Sequence, residues 1–220
     1  MKIYVLSVVE GQEWVLPRQA DDYELFAALG GQRQTGWHAP RMEFLREQED
    51  GSPRQHSDFP WLGEEVLILR ARALELLKPT LEPYGEFLPL RSDEAISLFN
   101  VTTVVDALDE ERSKLVRFDD GGIMMIESTV LRPDAIGDAE IFKLPERADG
   151  VRVSSIYLQE SIVRRIGELG LKGIAFAMVW SDEPVGQDRI EYPGVEKRPP
   201  ISTASSLKRF WAGLWRKAGL

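Results

Sequence analysis

Three adjacent residues, His56, Ser57 and Asp58, carry the side-chain types of a nucleophilic triad. Neighbours in sequence cannot adopt that geometry among themselves, because base, nucleophile and orienting carboxylate must meet in space from separate elements. The run is therefore read as part of a surface loop. Two carboxylate clusters, Asp109-Glu110-Glu111 and Asp119-Asp120, sit on turns flanking one expected strand. Paired carboxylates bind metal or run acid–base chemistry when they converge in a pocket with ordering partners. On tight turns they are solvated charge, or an acidic patch that faces a partner. Gly30-Gly31 and Gly121-Gly122 lack the spacing and helix context of a phosphate loop, so both are turns. Asn100-Val101-Thr102 fits the glycosylation triplet, which has no consequence without a secretory signal. No catalytic, cofactor-binding or metal-binding residue is assigned.

Composition narrows the chemistry further. The chain has 220 residues and no cysteine, which excludes a disulfide framework, a thiolate zinc site and a cysteine nucleophile. With only His38 and His56, a zinc site would have to recruit two carboxylates. A hydrophobic fraction of 43% supplies a real core. The N-terminal run MKIYVLSVVEGQEW is too short in its apolar part for a signal peptide, and no stretch approaches a membrane span. A soluble cytoplasmic protein is expected. All 36 acidic residues lie at or before Glu196, and six of the 27 basic ones lie after it. The body therefore carries −15 and the end of the chain +6. An acidic body repels a phosphate backbone and suits steering toward a basic protein partner.

The last sixteen residues, SSLKRFWAGLWRKAGL from Ser205, are the most unusual piece. Leu207, Phe210, Trp211, Leu214 and Trp215 fall on one helical face, flanked by Lys208, Arg209, Arg216 and Lys217. That pattern fits a helix folded back on the acidic body, docked in a partner's groove, or lying on an anionic membrane.

The elements that must position these residues follow from periodicity. Lys2 to Val8 is apolar on both faces, which predicts a strand interior to a sheet. Asp21-Asp22 can cap a short helix through Leu29, and Pro40 opens a strand through Leu45. Glu47 to Ser57 is polar and turn-rich. Arg70 to Lys78 is rich in helix formers, and Pro79 should end or kink that helix near Leu77. Pro83-Tyr84-Gly85 makes a turn before a strand from Glu86 to Leu90. The β-branched run from Ala95 to Val105 predicts a strand, with Asp106 to Ser113 as its turn and Lys114 to Phe118 returning. Ile123 to Leu131 is extended or weakly helical, and Ala139 to Leu144 is a short strand. Tyr157 to Leu169 has helical spacing and ends at Gly170; Lys172 to Trp180 then reads as a buried strand. Prolines, glycines and charges make Ser181 to Thr203 irregular.

The segment from Val66 to Leu108 organises the rest, and it carries a resemblance. The run Leu81-x-Pro-Tyr-Gly-Glu-Phe-Leu-Pro-Leu90 is similar to a signature of a bacterial immunity-protein family. So are Phe99-Asn100-Val101-Thr102 and Val104-Val105-Asp106-Ala107-Leu108-Asp109. The similarity extends upstream to Asp58-Phe59-Pro60-Trp61. Downstream it takes in Ala139-Glu140-Ile141-Phe142-Lys143-Leu144-Pro145 and Gly170-Leu171-Lys172-Gly173 before the strand ending at Trp180. The order of these motifs from Phe44 to Trp180 resembles the myxobacterial-type immunity proteins of polymorphic toxin systems, long known as a domain of unknown function. The basic tail beyond Pro200 has no place in that pattern.

What the resemblance implies is a small cytoplasmic protein that binds and neutralises a cognate toxin encoded beside it, with no catalytic residues of its own. The expected fold is α+β, a single domain over 1–180 with a mostly antiparallel twisted sheet and two main helices. An irregular linker over 181–204 and a basic amphipathic helical tail over 205–220 would follow. The expected function is occlusion of the toxin's active site, with no enzyme activity, no cofactor and no nucleic acid. Partner-binding candidates are Asp109, Glu110, Glu111, Asp119, Asp120, Trp211 and Trp215. Two other classes compete: a membrane-associated or scaffold adaptor that uses the tail, and a carboxylate-dependent enzyme acting on a small ligand. Oligomeric state stays open.

Overall fold

The computed structural model describes residues 1–117, 119, 121, 123–145, 155–183 and 189–191. Along the chain these form β1 (Lys2–Ser7), β2 (Trp14–Pro17), a 3-10 turn leading into α1 (Tyr23–Ala27), β3 (Met42–Leu45) and β4 (Leu67–Arg70). Next come α2 (Ala71–Leu81), a second 3-10 turn, β5 (Gly85–Leu90), β6 (Ile96–Val101), β7 (Lys114–Arg117) and β8 (Ile123–Ser128). The chain continues with α3 (Pro133–Ile136), β9 (Ile141–Phe142), β10 (Tyr157–Gln159), α4 (Glu160–Glu168), β11 (Ala175–Ser181) and β12 (Arg189–Glu191). The fold is α+β, and every named strand pair is antiparallel.

The strands divide into several sheets rather than one. A five-stranded sheet runs β12-β11-β1-β10-β9, a three-stranded sheet runs β4-β6-β5, and β2-β3 and β7-β8 are two-stranded. The reason lies in which strands are apolar on both faces. β1, β4 and β6 are, so each must be covered on both sides. Tyr4 and Leu6 of β1, Leu67 and Leu69 of β4, and Phe99 and Val101 of β6 share one core with the inner faces of α2 and α4. The alternate residues face away from it. Ile68, Ile96 and Leu98 join α1 and the β2-β3 pair, while Ile3 joins Phe142, Tyr157, Leu131 and Ile136. Each aliphatic side chain taken fully from water contributes about 1.5–3 kcal/mol, and these layers bury many of them.

Several expectations are corrected. Helix α2 runs through Pro79 to Leu81 instead of ending near Leu77. The proline removes a donor to the carbonyl of Glu75, which lies on the exposed side where water can replace it. Leu77 and Leu81, four apart and wholly buried, favour keeping the last turn. The expected hairpin of β6 with β7 does not form: β6 sits between β4 and β5, and β7 pairs with β8. β6 is apolar on both faces and lies between two strands of its own sheet, whereas β7 is only half-buried at best. The helix expected from Tyr157 begins at Glu160, because Tyr157 and Leu158 are buried on opposite faces of β10, beside β1. No aspartate side chain caps α1. Within the stretch expected to be irregular, β12 adds an edge strand to β11.

Candidate functional site

Several polar residues of the motifs turn inward and fasten the layers together. Tyr84 donates its hydroxyl to Glu140 Oε2 at 3.1 Å, and Ser161 donates to the other oxygen of the same carboxylate. Burial, with the Glu140 carboxylate beside it, pushes the Tyr84 phenol up. Glu86 Oε1 accepts from Asn100 Nδ2 at 2.9 Å and from the Gln34 amide at 2.7 Å. Asn100 Nδ2 also donates to the Gln32 carbonyl at 2.8 Å. Lys143, only 3% exposed, donates from Nζ to the Leu29 carbonyl at 2.7 Å. Three motif side chains thus hold the loop that joins α1 to β3. Because the Leu29 carbonyl would lose this buried donor, Lys143→Met is expected to lower stability by about 1–3 kcal/mol in urea unfolding.

The His56-Ser57-Asp58 run serves the same purpose and is no triad. Ser57 donates its hydroxyl to the Gly173 carbonyl at 3.2 Å. Asp58 exchanges backbone and side-chain bonds with Lys172: its amide donates to the Lys172 carbonyl and its Oδ2 accepts the Lys172 amide, both at 2.9 Å. Both residues are buried. His56 instead meets the Arg70 guanidinium; an arginine can only donate, so the ring nitrogen facing it accepts.

Arg70 is the centre of a charge network that the sequence reading did not find. Its NH1 donates to the buried Glu13 carboxylate at 2.8 Å and to the Ser57 carbonyl at 3.0 Å. Its Nε lies 3.0 Å from Glu94 as an ion-pair contact rather than a hydrogen bond. Its plane sits over the Phe44 ring at 4.6 Å. Arg46 extends the network to Glu13, Asp93 and Glu94. One signal was legible: an arginine closing the apolar run Val66-Leu-Ile-Leu-Arg70 must be buried with a carboxylate. Beside the network opens a cleft of about 550 Å³ lined by His56, Asp58, Arg70, Arg72, Glu94 and Lys172. Its carboxylates are already paired with its cations, and the Ser57 hydroxyl is committed to a carbonyl. Among the described residues no group of three or more His, Asp or Glu side chains is placed to hold a metal ion.

The acidic turn residues lie apart from this cleft. Asp109 accepts from the Arg112 amide at 3.1 Å, and Glu110 pairs with Arg117 at 2.7 Å. Arg117 also donates to the Gly121 carbonyl at 2.8 Å, so one guanidinium links the two turns. Glu111 and Asp119 are exposed. Asp120, Trp211 and Trp215, with the whole tail, lie outside the described residues. No described helix is long and apolar enough to cross a membrane.

No curated protein matches the chain. The motifs at Asp58–Trp61 and Leu81–Leu90 lie before residue 92, where the match to a known family begins. From there to residue 180, through β6, the β7-β8 ribbon and the strands around α4, the chain matches the model described as Immunity protein family (Imm11), and the resemblance is to an immunity protein family.

Proposed function

We propose that this protein binds a cognate toxin and neutralises it by covering the toxin's active site. The observation that carries the reading is the family match over residues 92–180. Immunity in general implies a protein partner and suggests a non-enzymatic role. The inward-facing motif residues agree with that role: Tyr84, Glu86, Asn100, Glu140 and Lys143 spend their polar groups on contacts that build the scaffold. The acidic body would steer the complex toward a basic partner. In this reading the toxin is a polymorphic toxin encoded by an adjacent gene, and the encounter takes place in the cytoplasm. The test is co-expression with the product of the neighbouring gene, scoring host survival and co-purification. Rescue together with a stable complex is the expected result. A toxic neighbour that is neither bound nor neutralised would overturn the reading.

A further inference from the structure

Within the family-matched segment, one element does not share in the scaffold. β6 and β9 are buried and carry inward-facing motifs, whereas β7 and β8 pair only with each other. Leu115 and Ile126, opposite one another, press one face of this ribbon onto the core. The next pair, Val116 and Met125, points the other way, and Met125 is 48% exposed, the most exposed of the large apolar side chains described. From Asp106 to Ser128 the sequence holds seven acidic residues against three basic ones. Each of those three cations is already paired within the ribbon and its turns: Arg112 with Asp109, Lys114 with Glu127, and Arg117 with Glu110. Glu111 and Asp119 are left exposed with no cationic partner among the described residues. The carboxylates of the cleft beside Arg70, by contrast, are held in ion pairs with its arginines.

We infer that the outer face of the β7-β8 ribbon docks the toxin, with Val116 and Met125 as the apolar centre and Glu111 and Asp119 as an acidic rim against a basic surface of the partner. The inference rests on the immunity reading and says where it acts. An apolar anchor ringed by charge is the anatomy of a protein interface, in which the anchor sets residence time and the charges set the rate of encounter. The ribbon is held to the core by one face only, so its outer pair can be changed without unpacking the protein.

The experiment measures association and dissociation rates of the full chain with the growth-arresting product of the neighbouring gene. Met125→Asp is expected to speed dissociation about tenfold or more. The double variant Glu111→Lys/Asp119→Lys should slow association about tenfold at low salt, with the difference shrinking as salt rises. Leu76→Asp, at a comparably exposed leucine on α2, should leave both rates as they are. Melting curves show which variants are folded, and the charge variants, on exposed turns, give an answer even if Met125→Asp unfolds. Unchanged rates in folded ribbon variants, or an equal loss from Leu76→Asp, would overturn the docking face while the immunity reading stands. Failure of the unaltered chain to bind would overturn both.

Discussion

Replacing Arg70 by alanine should lower the free energy of unfolding by about 3–5 kcal/mol, measured by urea denaturation. The guanidinium and the Glu13 carboxylate it faces are each less than a tenth exposed, and their contact is 2.8 Å. Removing one charge strands the other in a medium that solvates it poorly. Arg46, 3.4 Å from the other Glu13 oxygen and 45% exposed, replaces only part of the lost attraction. The packing of the guanidinium over Phe44 goes as well. The control is the double variant Glu13→Gln/Arg70→Met, which removes both charges while the glutamine oxygen still accepts the Ser57 amide. It should regain most of the loss, and the cycle closed by Glu13→Gln and Arg70→Met alone isolates the coupling. A loss below about 1 kcal/mol for Arg70→Ala would place this pair with ordinary surface salt bridges.

Gly85→Ala should cost about 3 kcal/mol or abolish folding, for a different reason. Gly85 opens β5 opposite Val101, and its backbone is fully extended (φ −176°), so no conformational strain attaches to an alanine there. What it lacks is room. A Cβ would lie 2.2 Å from the backbone oxygen of Asn100 and 2.9 Å from the Phe99 ring. The carbonyl belongs to the central strand of its sheet, and Phe99 packs on Phe87 with ring centroids 5.1 Å apart, so neither can withdraw cheaply. Gly51→Ala provides the comparison. Its φ of +79° favours glycine, but nothing lies within 4 Å, so the cost should stay near 1 kcal/mol. Equal losses at the two sites would mean that sterics at Gly85 is not the cause.

Much of the architecture could be read from local pattern, and the misses share one origin. β1 announced an interior strand because both its faces are apolar, and it is the middle strand of its sheet. α2 and α4 followed from apolar spacing, although Pro79 misled about where the first ends and Tyr157 about where the second begins. Both errors arose where burial against a distant strand outweighed a local preference. Strand partners were less legible. Sequence order suggests β7 as the partner of β6, while its actual neighbours, β4 and β5, both precede it in the chain. Of the polar contacts only the burial of Arg70, behind its apolar run, is signalled locally; the partners are not. Glu13 meets Arg70 across 57 positions, and Lys143 reaches Leu29 across 114, and nothing in either residue's local sequence names its partner. The His56-Ser57-Asp58 run is not the surface loop its sequence suggests, since Ser57 and Asp58 are buried. That Ser57 and Asp58 are buried fasteners could be seen only once Lys172 and Gly173 had been brought beside them.

The place of β1 has a consequence for how the molecule is made. Its hydrogen-bonding neighbours, β10 and β11, are pairings of Ile3 with Gln159 and of Leu6 with Phe176. At about 5–20 residues per second of synthesis, β1 leaves the ribosome roughly seven to thirty seconds before either neighbour exists. Through that interval an apolar segment with two open edges must be kept from pairing elsewhere. Closure of the largest sheet is therefore a late event in the life of each newly made copy.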